Sequence, residues 1–448
     1  MTDAAPPPPD AAPAKASARG PLAGLKVIEL GQLIAGPFAA KTLGDFGADV
    51  IKIEAPTTGD PLRNWRLIKN GTSVWWQVQS RNKRSLVLDL RQTDAQAIVR
   101  ALVQSADVLI ENFRPGVMES WGLGPDALLA VNPGLVMLRI SGYGQTGPYR
   151  DRPGFGVVAE AMGGLRHLTA EPGHVPVRMG VSMGDTLAAL HGVIGVLMAL
   201  HHRRSTVSAE APQGHGQVVD VALYEAVFNC MESLLPEYSA FGAVRGAAGS
   251  ALPGIAPSNA YRCRGDAEPA AQAASAADAG AYVLIAGNGD SIFKRLMTAI
   301  GRADLALDPA LAHNPGRVAR VLEIDAAIGH WTAQRSVAEV LAALAQASVP
   351  AGRIYTAADI AADPHFQARG MLACVQMPDG SALSVPGVVP KLSLTPGQHR
   401  RNAPALGQDT DAVLLELGLS PEQIQALKDR GIVAAAGDET VSIKPDQA

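Results

Sequence analysis

The stretch that decides the fold is KVIELGQLIAGPFAAKTLGDFGADVIKIE, residues 26–54. Residues 26–30 and 50–54 are short apolar runs rich in Val and Ile, which are typical of β-strands. Residues 37–47, between them, have the pattern of a helix. A strand, a helix and a second strand in this order indicate a βαβ unit with parallel strands.

The same alternation continues along the chain. Strands are predicted at 85–90, 107–112 and 135–141, with helices near 93–105 and 116–131. Short apolar strands that alternate with helices predict an α/β fold whose parallel sheet is covered by helices on both faces.

Ligand-binding residues are expected in the loops that follow the strands, because ligands of open α/β sheets bind beyond the carboxyl ends of the strands. These loops are 31–37, 54–61, 111–116 and 141–148. The first contains GQLIAG, which lacks the second glycine of the dinucleotide fingerprint GxGxxG. Glu54 ends the second strand, as a ribose-binding acid would, but a lone acid is a weak signal and nicotinamide binding is not favoured.

Composition narrows the classes of protein. The 448 residues carry a net charge of −4, which argues against a nucleic-acid-binding protein. The three cysteines, Cys230, Cys263 and Cys374, form no CxxC pair, and the ten histidines form no ligand motif, so we expect no metal. No secretory signal is evident, and a cytoplasmic location is expected.

Residues 264–280 look like a low-complexity insertion.

One acid, Asp185, stands at the head of an apolar run in MGVSMGDTLAALHGVIGVLMAL, residues 179–200. The run Thr186–Leu200 is shorter than a membrane span requires and contains His191, which predicts a buried helix and no membrane contact. Asp is a favoured N-cap, so Asp185 is interpreted first as the cap of this helix.

Seven blocks of the chain point to a family: GQLIAGPFAAKTLGDFGADVIKIEAPTTGDPLR, NKRSLVLDL, ENFRPG, SGYGQTGP, GVSMGDTLAAL, ADPHFQARGML and PALGQDTDAVLLELGL. In this order they resemble the class III CoA-transferases, which include formyl-CoA, carnitine and succinyl-CoA-dependent enzymes. The resemblance covers roughly residues 21–433. Any one block would be weak, whereas seven in the correct order are specific.

The resemblance implies a Rossmann-like large domain built from both ends of the chain, a small middle domain, and a homodimer of interlocked rings. Applied here, the large CoA-binding domain comprises 21–235 and 350–433, and linkers and the small domain comprise 236–349. Residues 1–20, rich in Pro and Ala, are predicted to be a disordered tail, and 434–448 a second tail.

The resemblance also implies covalent catalysis by an aspartate, and the matching residue is Asp185. Its carboxylate would attack an acyl-CoA thioester to give a mixed anhydride, and CoA would then pass through an aspartyl-CoA thioester to the acceptor acid. A helix N-terminus favours the ionised carboxylate that this role needs. CoA and acyl-CoA are then substrates, and no cofactor is bound permanently.

Several residues match positions that contact CoA in the family. By resemblance, Ile34 and Ala35 would contact CoA through their backbone groups, and Lys83 would bind a phosphate. Asn112 and Phe113 would hold the nucleotide end of CoA, with Arg114 as an extra cation. Tyr143 would lie near the reacting end. Each also has an ordinary structural reading: Lys83 in a solvated turn, Phe113 in the core, Tyr143 packing a loop.

Two departures from the family bear on phosphate binding. Some relatives carry a basic residue after the second strand, where this chain has Ala55, and an Arg where it has Ser120. Phosphate contacts must then come partly from elsewhere, and Arg63 and Arg66 are candidates.

The substrate is indicated by two further positions. Residues 249–259, GSALPGIAPSN, replace the glycine run of the formyl-CoA branch, with Gly254 as a hinge or the stretch as a simple linker. Arg178 could bind the distal carboxylate of a dicarboxylate, or be an ordinary surface residue. We therefore expect succinyl-CoA as donor and a small dicarboxylic or hydroxy acid as acceptor.

Two rival functions remain. The 2-methylacyl-CoA racemases of this family carry a His–Asp pair where this chain has Phe155 and Gly156, and His167 and His174 are out of register, so a two-base proton shuttle lacks a partner. A non-catalytic acyl-CoA-binding protein would have no use for the acid at position 185.

Overall fold

The computed structural model describes residues 20–264 and 281–438. The strands are β1 Lys26–Glu29, β2 Asp49–Glu54, β3 Ile68–Lys69, β4 Thr72–Ser73, β5 Lys83–Leu88, β6 Val108–Glu111, β7 Val136–Ser141, β8 Val218–Ala222, β9 Ser258–Arg262, β10 Tyr282–Ala286, β11 Ala351–Arg353, β12 Leu372–Gln376, β13 Ala382–Pro386 and β14 Val433–Ala434. The helices are α1 Ala35–Asp45, α2 Val74–Gln79, α3 Thr93–Val103, α4 Val117–Ser120, α5 Pro125–Val131, α6 Gly156–Met162, α7 Leu165–Leu168, α8 Met183–Ser205, α9 Leu223–Asn229, α10 Leu234–Phe241, α11 Asp290–Ala299, α12 Ala303–Leu307, α13 Asn314–Ala319, α14 Val321–Ala333, α15 Val337–Gln346, α16 Ala357–Ala362, α17 Pro364–Ala368, α18 Thr410–Glu416 and α19 Pro421–Asp429.

The described residues form two units. The first contains the chain up to Gly164, Gly180–Glu232 and the chain from Gln367 onward, and the second contains Leu165–Met179 and Ser233–Phe366. Unit 2 is therefore larger than the 236–349 expected for the small domain. Residues 350–366 belong to it because β11 pairs antiparallel with β10. The predicted tail at 1–20 and the insertion at 264–280 lie outside the described residues, apart from Gly20 and Arg264.

Unit 1 is built on a seven-stranded sheet in the order β14-β5-β2-β1-β6-β7-β8. Neighbouring strands are parallel, except that β14 is antiparallel to β5. In register, Ile28 of β1 lies opposite Ile51 on one side and Leu109 on the other. The predicted α/β fold with a parallel sheet is confirmed. The strand order reverses direction between β1 and β6, which creates a crevice beyond their carboxyl ends.

Alternate residues of each strand enter two separate cores. Ile28 lies in a core shared with α3, α18 and α19, while Val27, its neighbour, lies in a core shared with α1 and α8. Both residues are almost wholly buried. This explains why the strands are apolar throughout, since both faces of the sheet are covered.

The helix predicted near 116–131 is two helices, α4 and α5, so this prediction was wrong in detail. Gly122 between them has φ +64°, a conformation that ends a helix, and Pro125 begins the next one, where its missing N–H costs nothing. The predicted C-terminal tail also begins too early, because Ala434 pairs with Val87 in the sheet.

Helix α8 has 23 residues and is thus longer than the apolar run seen in the sequence. Among the described residues, it is the one helix long and apolar enough to cross a membrane by length and composition. Ala188, Val193 and Val196 are buried in the core of unit 1, whereas its opposite face exposes the apolar side chains Leu190, Ile194, Leu197 and Met198. The prediction of a buried helix therefore holds for one face only. The interlocked dimer stays a prediction.

Unit 2 contains a three-stranded antiparallel sheet in the order β11-β10-β9. Its own core joins β9 and β10 to α11, α14 and α15 through residues such as Val283, Phe293, Ile328 and Leu344. The hydroxyl of Tyr261 donates a hydrogen bond to Asp325 Oδ1 at 2.6 Å. The unit thus has the hydrophobic interior of an independent domain.

Candidate active site

The loops after β1 and β6 are tied together at the switch point of the sheet. Gln32 N donates to Asn112 Oδ1 at 2.7 Å, and Asn112 Nδ2 donates to the Gln32 carbonyl at 2.9 Å. Gly31 and Gly36 approach so closely that a Cβ on Gly31 would lie 3.0 Å from Gly36 Cα. Two of the sequence blocks that carry the family resemblance, GQLIAGP and ENFRPG, are therefore neighbours in the fold although they lie 80 positions apart in the chain. The resemblance implied that both blocks contact the same ligand.

Helix α1 begins in this crevice. Ile34 is its N-cap residue and Ala35 its first residue, both are buried, and no side chain caps this terminus. The Ile34 carbonyl accepts a hydrogen bond from Gln79 Nε2 at 2.9 Å, which holds the turn. A helix start without a side-chain cap suits a ligand phosphate, consistent with the backbone role predicted for these two residues.

The neighbouring loop contains Phe113 and Arg114. Phe113 is half-buried, packs edge-on against Trp121 at 5.2 Å between ring centroids, and donates its N–H to Glu111 Oε2 at 2.7 Å. Burial raises the pKa of Glu111 to about 6, against the opposing effect of Arg139, whose Nε lies 2.7 Å from Oε1. Arg114 is exposed. The loop thus has a fixed backbone and one outward-facing cation.

Lys83 is placed differently from its prediction as a phosphate ligand. The side chain is fully buried, and Nζ lies 2.7 Å from Glu29 Oε2 and 2.8 Å from the Pro37 carbonyl. Burial lowers the pKa of this ammonium to about 8, although Glu29 opposes the shift. In this arrangement Lys83 supports α1 from beneath. The solvated-turn reading also fails, because the side chain has no exposed surface.

Sequence reasoning missed a buried charge cluster that fixes the first loop. Lys52 Nζ contacts Glu29 Oε1 and Asp60 Oδ2, each at 2.8 Å, and donates to the Gly31 carbonyl at 2.7 Å. Asp60 Oδ1 accepts from Leu33 N at 3.0 Å. Three charged side chains and two backbone groups thus hold the loop before α1. The signal was present in the sequence as Glu29 and Lys52, which are charged residues inside apolar strands.

Arg63 was a candidate for phosphate binding, whereas a ribose-binding role of Glu54 was not favoured, and the two side chains bind each other. Arg63 Nε lies 2.8 Å from Glu54 Oε2 and Nη2 lies 2.7 Å from Oε1, with both groups buried. The structure therefore contradicts the phosphate role of Arg63, and it agrees with the rejection of a ribose role for Glu54. Arg66, the other candidate cation, is exposed.

Asp185 lies in the first turn of α8, and the N-cap residue is Ser182. The interpretation of Asp185 as the N-cap was therefore wrong, because the helix begins two residues earlier. The half-buried carboxylate of Asp185 faces the start of α6, where a Cβ built on Gly156 would lie 2.1 Å from Oδ2. An acid in a first helical turn still benefits from the helix dipole.

Tyr143 lies near the same segment of chain. Its ring is half-buried between Tyr149 and Tyr224, with centroid distances of 6.1 and 6.3 Å. A Cβ on Gly154 would lie 3.1 Å from Tyr143 Cε2. Gly154 and Gly156 are separated by one residue, so the loop after β7 and the first turn of α8 both contact this segment.

The two predicted substrate residues belong to unit 2. Arg178 is exposed on the stretch between α7 and α8. Gly254 has φ +74°, and its carbonyl accepts from Asn314 Nδ2 at 2.8 Å, while Asn314 Oδ1 accepts from Ala256 N at 3.1 Å. The loop at 249–259 is thus held by Asn314. The substrate role of Arg178 and the hinge role of Gly254 stay predictions. Across 20–264 and 281–438, no group of three or more His, Cys, Asp or Glu is arranged to hold a metal.

A parallel sheet whose switch-point loops contain these blocks, with an aspartate in the first turn of a long helix of the same unit, agrees with the CoA-transferase class that the resemblance implied. The chain belongs to CoA-transferase family III, whose sequence pattern matches residues 22–410. CoA thioesters are the substrates of this family, and the predicted class of enzyme is confirmed.

Characterised relatives support the assignment. The chain is 44% identical over 415 residues to succinyl-CoA–D-citramalate CoA-transferase of Chloroflexus aurantiacus, covering 92% of this chain and 98% of the relative. It is 34% identical to succinate–glutarate CoA-transferase of Agrobacterium fabrum, covering 89% and 96%. The crystal structure of a CAIB/BAIF family protein from Brucella suis is similar with a TM-score of 0.74 and 36% identity, covering 89% of this chain and all of that one.

Replacing Asn112 with alanine tests the switch-point crevice as the acyl-CoA site. The change removes both hydrogen bonds to Gln32. We expect the KM for acyl-CoA to rise about tenfold, as for hydrogen bonds worth about 1–2 kcal/mol in total, with a smaller change in kcat. The measurement is steady-state kinetics at saturating acceptor acid.

Asn132→Ala is the matched control. Asn112 is half-buried and Asn132 is a buried amide, whose Nδ2 donates to Val103 O at 2.9 Å and Ala106 O at 2.8 Å, but Asn132 lies before β7, at the amino ends of the strands. We expect this variant to lose stability and keep the KM. Equal KM values for both variants would contradict the assignment of the crevice to acyl-CoA.

Proposed function

We propose that this CoA-transferase moves CoA from succinyl-CoA to a small dicarboxylic or hydroxy acid, with Asp185 as the nucleophile. The observation that carries the proposal is the position of the Asp185 carboxylate, half-buried in the first turn of the 23-residue helix α8. There the helix dipole stabilises an anion, which is the form that attacks a thioester.

The reaction proceeds through two anhydrides and one enzyme thioester. An Asp185 oxygen attacks the thioester carbon of succinyl-CoA, the C–S bond breaks, and CoA leaves as a thiolate. The thiolate then attacks the Asp185 carbonyl of the mixed anhydride and releases succinate, leaving an aspartyl-CoA thioester. The acceptor carboxylate attacks this thioester and forms a second anhydride. The released thiolate attacks the acceptor carbonyl, which yields the new acyl-CoA and regenerates the Asp185 carboxylate.

The choice of donor rests on the relatives. The names of the Chloroflexus enzymes specify succinyl-CoA with D-citramalate or with L-malate, and the Agrobacterium enzyme pairs succinate with glutarate. These acids share two carboxylates on a short carbon chain. A donor with a free distal carboxylate is therefore favoured over formyl-CoA, which has none.

A panel of donors and acceptors tests the proposal. Succinyl-, acetyl-, formyl- and oxalyl-CoA are each incubated with citramalate, malate, glutarate or mesaconate, and the CoA esters are separated by liquid chromatography. We expect turnover with succinyl-CoA and at least one of these acids. Turnover of formyl- or oxalyl-CoA without turnover of succinyl-CoA would refute the choice of donor. Epimerisation of a 2-methylacyl-CoA without transfer would favour the racemase alternative.

A further inference from the structure

Gly156, the first residue of α6, leaves open the space that the Asp185 carboxylate occupies. A Cβ built on Gly156 would lie 2.1 Å from Asp185 Oδ2, 2.8 Å from Cγ and 3.3 Å from Oδ1. Non-bonded heavy atoms do not approach within such a distance, since optimal carbon contacts are about 3.5–4.0 Å. Any residue other than glycine at this position would therefore collide with the carboxylate where it now lies.

The backbone of Gly156 gives no other reason for a glycine. Its φ is not positive, so the residue has a conformation that any L-residue adopts. The neighbouring contact is also made by a glycine, because a Cβ on Gly184 would lie 2.9 Å from the Gly156 carbonyl oxygen. The starts of α6 and α8 thus meet through two residues without side chains, directly beside Asp185.

We infer that Gly156 is a positioning residue, whose missing side chain sets the place of the Asp185 carboxylate for attack on the thioester. The inference rests on the proposed role of Asp185 as nucleophile. It also follows that an acid at 156, the position of the racemase Asp, does not fit beside Asp185 as this chain places it.

The collision with an alanine would be relieved by Asp185 itself. The atoms in the way belong to the end of a half-buried side chain, which would take another rotamer to make room for the methyl group. The fold would therefore survive, while the attacking oxygens would move by about 1 Å or more. Displacement of this size can reduce the rate of a positioned reaction by about 100-fold.

Gly156→Ala tests the inference. We expect kcat and the rate of covalent adduct formation with succinyl-CoA to fall about 100-fold, the KM for succinyl-CoA to change less than about threefold, and the melting temperature to stay close to that of the wild type. Stopped-flow or quenched intact-mass measurements give the adduct rate, and thermal unfolding followed by circular dichroism gives the stability.

Gly163→Ala is the matched control on the same helix. A Cβ on Gly163, the C-cap residue of α6, would lie 2.6 Å from Val227 Cγ1 and 2.7 Å from its Cβ. Val227 is fully buried and β-branched, so it cannot turn aside. We expect this variant to lose stability and to keep the wild-type kcat per folded molecule, which is the opposite pattern to Gly156→Ala.

The outcomes separate this inference from the proposed function. If Asp185→Asn is inactive and Gly156→Ala has the wild-type kcat, the positioning role alone is overturned. If Gly156→Ala loses activity only in proportion to lost folding, as Gly163→Ala would, or does not fold, the role is also overturned, because the collision would then involve more than the carboxylate. An active Asp185→Asn overturns the proposed function and the inference together.

Discussion

Asp185→Asn is expected to lower kcat by at least about 1,000-fold and to abolish the covalent adduct with succinyl-CoA, because loss of a nucleophile removes the whole covalent route. Asparagine has the same shape as aspartate, so the first turn of α8 can form unchanged. Its amide has neither the charge nor the nucleophilic oxygen that the anhydride requires. The expected effect is therefore on chemistry and not on folding.

The measurement is intact-mass analysis of wild type and variant after addition of succinyl-CoA, with and without hydroxylamine. The wild type should gain the mass of an acyl or CoA group, and hydroxylamine should remove it. Asp126→Asn is a matched control, since Asp126 is an exposed acid in the first turn of α5 in the same unit. An adduct of wild-type yield on Asp185→Asn would show that another residue is the nucleophile.

Arg63→Met is expected to cause the largest loss of stability, about 3–5 kcal/mol, because it leaves a buried carboxylate without its partner. Arg63 binds Glu54 through two hydrogen bonds of 2.8 and 2.7 Å, and its guanidinium lies 3.7 Å from the ring centroid of Trp76. Burial alone would raise the pKa of Glu54, but Arg63, with Lys52, lowers it to about 2.

The stability is measured by urea unfolding followed by tryptophan fluorescence. Arg302→Met is the control, because Arg302 and Asp304 form the same two-bond pair, at 2.8 and 2.6 Å, on the surface. Exposed pairs contribute little, so we expect a small change there. The double variant Glu54→Gln/Arg63→Met should recover part of the loss, since it also removes the buried charge. Equal losses for the two arginine variants would contradict the prediction.

The pair of Arg63 and Glu54 also predicts that the free energy of unfolding depends on pH. The pKa of Glu54 is depressed in the folded protein, from 4.5 to about 2. The folded state therefore binds fewer protons than the unfolded state in this range, and the contribution of Glu54 to stability is complete above pH 4.5 and lost as the pH falls towards 2. Urea unfolding between pH 6 and 3 should show this loss in the wild type and not in Arg63→Met. Parallel profiles would exclude Glu54 as its origin.

Much of the fold could be predicted from local patterns. Residues 26–54 contain two strands and a helix in the predicted order, with ends within a few residues of β1, α1 and β2. The prediction of these strands succeeded because strands that are buried on both faces are apolar throughout, and such runs can be recognised in the sequence. The split of 116–131 into α4 and α5 escaped, although Gly122 and Pro125 were there to indicate it.

The loops that form the site could be predicted from the sequence. The contacts that the side chains make within these loops could be predicted only in part. Asn112 was identified, but its partner Gln32 was not, and Lys83 was assigned to a phosphate although it lies beneath α1 on Glu29. The sequence does not distinguish a lysine in a solvated turn from a lysine buried inside a sheet. The difference depends on which strands are neighbours.

The sequence by itself determined the order of strands and helices, the family and the aspartate to test, because periodic burial and ordered motifs are local properties of the chain. Only the tertiary structure decided that Ser182, and not Asp185, is the N-cap residue of α8, that Arg63 and Glu54 neutralise each other, and that Gly156 leaves room for the Asp185 carboxylate. The physical reason is that charge pairing and steric exclusion act between atoms far apart along the chain, which meet only when the sheet has formed.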